Sequence, residues 1–296
     1  FVCAAISLTP FFAMGYDLDV LSSAKSLTPE NSTEIMMLKV LQLAQALGLF
    51  MVPYLIFRWL IKDHTYSVFK LRYIGLNSVL IFAAAMFAAF PLVNYLAEWN
   101  AGLEIPIESI NTWVHETEKD AEGVIRLFLQ MDSIGDLIFN LFLIGLIPAI
   151  SEELLFRGTM QPLMLKTFKQ NYHVAIWVTA FLFSFLHLQF LGFFPRMLLG
   201  AILGYAAQWS GSLVLPMIGH FVNNGLAVLV AYYIGVDALD ADFETLGSDA
   251  NQWQLVALST LLLLGGMWLI YRRSSFMEHA LIKDQNQRVE KEDKSE

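Results

Sequence analysis

Ionisable side chains are rare inside the long apolar segments of this 296-residue chain, and most of them fall in three segments of its second half. A charged group at membrane depth costs a few kcal/mol or more, so such groups usually face a cavity and take part in function. We therefore treat them, with one neighbouring amide, as the candidates for chemistry. They are Glu152, Glu153, Arg157, His187, His220 and Asn224.

The spacing gives the two adjacent acids different roles. Glu153 and Arg157 stand four residues apart, so on a helix they share one face and can form an ion pair. Glu152 points about 100° away from Glu153 on the same helix, which leaves it available for other work. Pro148, one turn earlier, has no N–H, so the carbonyl of Ile144 is predicted to lose its usual helical partner.

Two further pairs are also four residues apart: Phe183 with His187, and His220 with Asn224. Three helices can therefore present the carboxylate of Glu152, two imidazoles and an amide to one interior pocket. Hydrolysis of a peptide bond needs a base that activates water and N–H donors that stabilise the oxyanion. This set of side chains supplies both.

A metal ion is one of two explanations for the same residues. The sequence HExxH is absent, which excludes the zincin arrangement. Glu152, His187 and His220 could nevertheless hold one catalytic zinc ion and leave a coordination position open for water. The alternative is a metal-free mechanism in which a glutamate activates the water, and the sequence does not separate the two.

The composition predicts a membrane protein. Hydrophobic residues make up 56% of the chain and charged residues 15%, whereas soluble domains carry about 25% charged residues. The net charge of -9 argues against nucleic-acid binding, and the single cysteine, Cys3, excludes an internal disulfide. Because the chain starts at Phe1 within an apolar run, we expect it to be a fragment of a longer protein.

Apolar runs of about 17 to 25 residues can cross a bilayer as helices. The sequence predicts an all-α, polytopic transmembrane bundle of about eight spans, or of seven if the first run lies at the membrane surface. The predicted spans cover about 1–14, 35–60, 74–96, 134–156, 174–190, 193–208, 213–236 and 253–271.

The distribution of charge predicts the orientation of these spans. With a cytoplasmic N-terminus, most Lys and Arg residues fall in the inner segments or in the tail, in agreement with the positive-inside rule. The outer loops at about 15–34, 97–133 and 237–251 are then acidic. Both termini are therefore predicted to be cytoplasmic.

The chain divides into four regions. Residues 1–131 supply the N-terminal spans and an acidic extracytoplasmic loop, 132–235 the polar core, 236–273 the last loop and span, and 274–296 a charged tail that is predicted to be disordered. Within the core, the small-xxx-small pattern at Gly200–Gly204 predicts close helix packing inside the chain.

The three polar segments resemble, in order, the motifs of the CAAX-protease and bacteriocin-processing family of intramembrane proteases. EELLFR at 152–157 is similar to the EExxxR motif of that family, FSFLH at 183–187 to its FxxxH motif, and HFVNN at 220–224 to its HxxxN motif. The resemblance covers about residues 132–235. Its eukaryotic members remove the last three residues of prenylated CAAX proteins, and the family is often described as metalloproteases.

The resemblance implies roles for individual residues. Glu152 would be the general base, and His187 would help to hold or deprotonate the water. His220 and Asn224 would stabilise the oxyanion. Supporting positions would fall to Glu153, Arg157 and Phe183.

We therefore expect an intramembrane endopeptidase that acts on membrane-anchored peptides or proteins, with prenylated CAAX-type proteins among the candidate substrates. We expect it in a bacterial cytoplasmic membrane, in contact with lipid, with its cavity facing the cytoplasm. Two other functions fit the same residues. One is a proton-coupled transporter, which would predict internal repeats that the sequence does not display. The other is a non-catalytic membrane scaffold or immunity protein.

Overall fold

A computed structural model describes residues 32–60, 71–236 and 245–293, and the regular structure in these ranges is helical. The predicted all-α class is confirmed. The first predicted span, at about 1–14, lies outside the described residues, so the expected number of eight spans stays a prediction.

Twelve α-helices follow one another along the described residues. They are α1 (Ser32–Gln45), α2 (Val52–Leu60), α3 (Leu76–Ala88), α4 (Phe90–Ala101), α5 (Glu108–Leu129), α6 (Ile134–Asn140), α7 (Ile147–Leu155), α8 (Gln161–Thr167), α9 (Tyr172–Phe185), α10 (Phe193–Ser210), α11 (Val214–Ile234) and α12 (Trp253–Asp293). Short π-helical segments at Ala46–Met51, Leu141–Leu146 and Phe156–Met160 join neighbouring helices into continuous rods.

Six rods in these ranges are long and apolar enough to cross a membrane, and each overlaps one of the predicted spans. They are Thr33–Leu60, Leu76–Ala101, Ile134–Thr167, Phe190–Ser210, Val214–Ile234 and Trp253–Arg273. The span predicted at 134–156 continues further, to Thr167. The chain is therefore a multi-pass membrane protein.

The span predicted at 174–190 is wrong in its length. Helix α9 has 14 residues and ends at Phe185, whereas a full crossing needs about 20 residues. The chain turns just after it, where Leu188 adopts a left-handed conformation with φ of 57° that no α-helix continues. His187 therefore lies in this turn and not inside a helix as the sequence predicted.

Asn100, at the end of α4, holds the turn in place. Its Nδ2 donates to the carbonyl of Phe190 at 3.0 Å, and its Oδ1 accepts from the N–H of Phe194 at 2.7 Å. The side chain of Asn100 is buried, so both of its polar atoms are used where water is scarce. The turn that carries His187 is therefore fixed by another part of the bundle.

The segment predicted as an outer loop at 97–133 contains the 22-residue helix α5, and its side of the membrane stays a prediction. Frequent charged residues obscure its pattern, but Val114, Ala121, Val124 and Phe128 recur at the spacing of one helical face. Val114 and Phe128 are buried, so the apolar face of α5 packs against the bundle.

The small-xxx-small pattern packs two helices of the same chain, as predicted. A Cβ added to Gly200 would lie 3.2 Å from Cα of Ala180, and one added to Gly204 would lie 2.9 Å from Cγ2 of Ile176. The absence of side chains at both glycines lets α10 approach α9 closely.

The last helix continues to Asp293, through most of the segment 274–296 that was predicted to be disordered. This segment is rich in Lys, Glu, Gln and Arg. Its Lys, Glu and Gln residues have high helix propensity, and the disorder predicted for 274–296 stays a prediction.

Candidate active site

A cavity of about 860 Å³ lies among α1, α4, α5, α7, α10 and α11. Its wall is mostly apolar and carries a small group of polar side chains, which is the usual composition of a ligand site. The four predicted catalytic residues all line it: Glu152, His187, His220 and Asn224. The structure thus brings together side chains from three separate motifs.

The carboxylate of Glu152 is the point on which the two imidazoles converge. Its Oε2 lies 3.8 Å from Nε2 of His187 and 3.9 Å from Nε2 of His220. These distances exceed a direct hydrogen bond, and Oε2 is buried with no hydrogen-bond partner among the described residues. Polar atoms separated by more than about 3.5 Å are commonly bridged by water, so a water molecule can bridge Glu152 to an imidazole.

The C-terminal end of α9 positions His187. Its Nδ1 lies 2.7 Å from the carbonyl oxygen of Phe183, which is one of the last carbonyls of that helix. A carbonyl only accepts, so Nδ1 carries the proton and Nε2 keeps its lone pair toward Glu152. The end of α9, which comes earlier than the sequence predicted, therefore positions this imidazole.

His220 is fixed by the second acid. Its Nδ1 lies 2.9 Å from Oε1 of Glu153, and the same oxygen accepts from Nη1 of Arg157 at 2.7 Å. Both members of this ion pair have side chains that are 0% exposed, and Nη2 of Arg157 donates to the carbonyl of Gly200 at 2.6 Å. The pair expected to position its own helix also orients His220 toward Glu152.

Phe183 fills the space between the two imidazoles. Its ring centroid lies 4.9 Å from that of His187 and 6.0 Å from that of His220, both in edge-on geometry. The guanidinium carbon of Arg157 lies 5.0 Å from the same ring. Phe183 therefore supports the site by packing and makes no polar contact through its side chain.

Asn224 faces the cavity from α11, one turn after His220. Its Nδ2 donates to the carbonyl of Ile144 at 3.2 Å, and its Oδ1 accepts from Nδ2 of Asn223 at 3.1 Å. This is the carbonyl that Pro148 was predicted to free, so the proline and the amide complement each other. The second N–H of the amide has no partner among the described residues and can donate to a ligand.

Glu152, His187 and His220 are also the candidate zinc ligands, and their spacing can be compared with the geometry of a zinc site. Two ligands at about 2.1 Å from a tetrahedral zinc ion have donor atoms about 3.4 Å apart, whereas Glu152 lies 3.8 and 3.9 Å from the nitrogens of His187 and His220. In the ranges that the structure describes, no three His, Cys, Asp or Glu side chains are placed to hold a metal ion. The observed distances do not fit a zinc ion, and the metal-dependent alternative is left to experiment.

Arg196 also lines the cavity, and the sequence analysis did not single it out because it falls near the start of the span predicted at 193–208. Its Nη1 donates to the main-chain carbonyl of Gln189 at 3.0 Å, and its Nη2 donates to Oε1 of the Gln189 side chain at 3.2 Å. The available signal was spacing, since Arg196, Leu199 and Leu203 fall on one face of α10 and all line the cavity.

Glu118 of α5 joins Gln189 and Arg196 in a chain of hydrogen-bonded polar side chains. Its Oε1 accepts from Nε2 of Gln189 at 3.3 Å. Burial raises the pKa of Glu118 above its ordinary value, and the opposing effects of the Arg196 charge and the N–H of Leu191 are smaller. The polar chain links α5 to α10 across the rim of the cavity.

Two expectations from the sequence conflict with each other in this fold. The cavity was expected to face the cytoplasm, but α5 forms part of its wall and belongs to the segment 97–133 that the predicted orientation puts outside. The C-terminal end of α10 lies on the other side of the bundle, close to the segment before α3 and to α12. There Ser212 Oγ donates to the carbonyl of Arg72 at 2.9 Å, and the rings of Trp209 and Tyr271 lie 5.3 Å apart. The cavity therefore lies toward the acidic side of the bundle.

Comparison with known proteins agrees with the order of the motifs. Residues 134–226 match the model of the family described as type II CAAX prenyl endopeptidase Rce1-like, and this segment contains all four predicted catalytic residues. The uncharacterized protein YpbD of Bacillus subtilis (strain 168) is 28% identical over 118 residues, which are 38% of this chain and 55% of that protein. The chain thus spans about half the length of this relative. No solved structure matches.

Proposed function

We propose that this chain, which carries an Rce1-like domain in residues 134–226, is an endopeptidase that cleaves membrane-associated substrates with a water activated by Glu152. The observation that carries the proposal is the convergence of two imidazole Nε2 atoms on Oε2 of Glu152 inside the cavity. The other nitrogen of each imidazole is already bonded, to Phe183 in one case and to Glu153 in the other. Nε2 of each imidazole therefore faces Glu152.

The first step is attack by water on the scissile carbonyl. Glu152 takes a proton from the water while His187 holds it, and the water oxygen forms a bond to the carbonyl carbon. A base in this position typically contributes about 10²–10⁴-fold to the rate.

The second requirement is stabilisation of the oxyanion that this attack creates. The free N–H of Asn224 is one donor. His220 becomes the other once it has taken a second proton from water, because Nδ1–H then bonds to Glu153 and Nε2–H faces the oxyanion. It returns this proton to water after the oxyanion has collapsed. The negative charge of Glu153 would pair with the positive ring, whereas His187 has only a neutral carbonyl behind it. The two histidines are thus suited to different roles.

The last step is collapse of the tetrahedral intermediate. The proton held by Glu152 passes to the leaving nitrogen as the C–N bond breaks. The products are a new carboxyl terminus and an amine, and the side chains return to their starting protonation states after proton exchange with water.

The apolar cavity wall suits a substrate that arrives from the bilayer. Helices from at least three membrane rods surround the site, so a peptide with a lipid or hydrophobic anchor can keep that anchor in apolar surroundings. Prenylated CAAX-type peptides are the first substrates to test, because the description of the matched family names them.

For the orientation, we propose that the cavity opens on the extracytoplasmic side and that both termini are cytoplasmic. Basic residues such as Lys169 and Arg272 end the helices on the far side, whereas α5 contributes Glu108 and Glu116 on the near side. With Cys3 replaced by Ser, a Glu116→Cys variant should react with a membrane-impermeant maleimide in intact cells, and Lys169→Cys should react only after lysis. The reverse labelling pattern would contradict this orientation.

The metal question has its own test. Purified protein should contain no stoichiometric zinc, and cleavage should persist after treatment with a chelator, because the donor atoms are too far apart for one ion. Loss of activity that added zinc restores would support the metal-dependent alternative instead.

The function itself is tested with purified protein and a quenched prenyl-peptide or membrane-anchored substrate. Glu152→Gln, His187→Ala and His220→Ala should each lose cleavage while remaining folded, and Glu116→Gln, on the exposed side of α5, should retain it. If the wild type cleaves nothing but moves protons in liposomes, the transporter explanation replaces this proposal.

A further inference from the structure

We propose that Arg196 binds a carboxylate of the peptide substrate, either at its C-terminus or on a side chain close to the scissile bond. This inference rests on the proposed peptidase function. Arg196 is the one Lys or Arg among the described residues that line the cavity, which it shares with Glu152 and both site histidines. A substrate anion entering this cavity therefore meets one permanently cationic side chain in the described part of its wall.

The guanidinium of Arg196 is held in a fixed position before any substrate arrives. Two hydrogen bonds tie it to the main chain and side chain of Gln189. A Cβ added to Gly192 would lie 3.1 Å from Nη2, so the guanidinium packs directly over this glycine. A binding group that is already ordered loses little entropy when its ligand binds.

Arg196 still has donors to offer. A guanidinium carries five N–H groups, and within the described residues two of them are used, both by Gln189. None of the ion pairs formed by the described residues includes Arg196. The planar arrangement of the remaining donors matches a carboxylate better than any neutral ligand.

The carboxylates already near Arg196 do not occupy it. Glu118 and Glu152 interact with its charge electrostatically, but Glu118 makes its hydrogen bond to Gln189 and not to the guanidinium. Burial also raises the pKa of Glu118, which weakens its competition for the cation. Glu152 faces the two imidazoles on its other side.

The test compares matched peptides on the full-length protein. One pair differs only in a C-terminal carboxylate or amide, and a second pair differs only in Glu or Gln beside the scissile bond. We expect the wild type to prefer the acid form of one pair by about 10- to 100-fold in kcat/KM. Arg196→Gln should bring that ratio close to 1, and Arg196→Lys should keep part of it.

Two controls keep the result interpretable. Arg272→Gln, at the exposed end of the last span, should leave the acid-to-amide ratio unchanged. Gln189→Ala, which keeps the guanidinium but removes its support, should lower the ratio less than Arg196→Gln does. This second variant also serves if Arg196→Gln does not fold.

An unchanged ratio in Arg196→Gln, or no preference in either pair with the wild type, would overturn the inference. If the wild type cleaves no peptide, the proposed function fails first. Calorimetric binding of the same peptides then decides separately about Arg196: tighter binding of the acid form that is lost in Arg196→Gln supports the site, and equal binding rejects it.

Discussion

Two adjoining regions of the bundle differ in how closely their buried polar groups approach their partners. In the packed region, Arg157 bonds Glu153 at 2.7 Å and the carbonyl of Gly200 at 2.6 Å, and Gln161 bonds the carbonyl of Gly204 at 3.1 Å. In the cavity region, one residue away along the chain, Glu152 approaches its histidine partners no closer than 3.8 Å.

The difference teaches that the packed region is the support for the cavity region. Glu153 belongs to the first region, yet its bond to His220 sets the direction of an imidazole in the second. Side chains behind a reactive group fix its orientation, and their loss loosens the site even when the reactive group stays. The two acids therefore divide the work of holding and reacting.

The largest expected effect is on the cleavage rate of a Glu152 variant, and it distinguishes catalysis from support of the fold. Glu152→Gln should lower kcat by about 10²–10⁴-fold, as expected for loss of a general base. Its stability should be retained or raised, because a buried oxygen without a hydrogen-bond partner among the described residues no longer carries charge. Cleavage assays with unfolding measured in the same micelles check both parts. A stability loss comparable with that of a packed-region variant would break the comparison.

Next comes the packed region itself. Arg157→Met should destabilise the protein by about 3–5 kcal/mol, because it leaves the carboxylate of Glu153 buried without its cation. Arg272→Met, at an exposed helix end, should stay within about 0.5 kcal/mol of the wild type. Reversible unfolding in micelles compares the two. A similar cost in both variants would mean that the buried pair is not a support.

A smaller effect tests the helix contact below the site. Gly200→Ala places a methyl group 3.2 Å from Cα of Ala180 and from the ring of Phe183, which should cost about 1–3 kcal/mol. Gly265→Ala is the matched control, since a Cβ there meets nothing within 4 Å. That variant should be neutral or gain up to about 1 kcal/mol from helix propensity. Equal stability of both variants would argue against close packing at Gly200.

The smallest effect lies at the rim of the cavity region. The pKa of Glu118 is raised in the folded protein, so the folded state binds this proton more tightly than the unfolded chain. The contribution of that proton to stability is present at low pH and is lost as the pH rises from about 4.5 through the raised pKa. The stability of the wild type relative to Glu118→Gln should therefore fall over this window. A difference that is flat, or that rises with pH, would contradict the burial of this carboxyl group.

Local spacing was enough to predict much of the site. The four-residue spacing of Glu153 and Arg157 requires one helical face whatever surrounds the helix, and the observed pair follows from it. The carbonyl of Ile144 follows in the same way from the missing N–H of Pro148. The expectation that Glu152 and the two histidines share a pocket came from the cost of charge in a membrane, and the cavity brings them together.

Features set by distant parts of the chain could not be predicted. The bond between His220 and Glu153 joins residues 67 apart, and the turn after α9 depends on Asn100, which lies 90 residues before Phe190. Leu188 gives no local signal, because glycine or asparagine is the usual residue at positive φ. The place of Arg196 in the cavity wall likewise depends on how α10 packs.

The most direct test of the central claim is mass spectrometry of a single turnover in H₂¹⁸O, with the reaction quenched before completion. Direct attack by a water held at Glu152 predicts one ¹⁸O in the new carboxyl terminus and intact protein of unchanged mass at every time point. Protein whose mass has increased by that of the N-terminal fragment would reveal a covalent acyl-enzyme and would contradict the account.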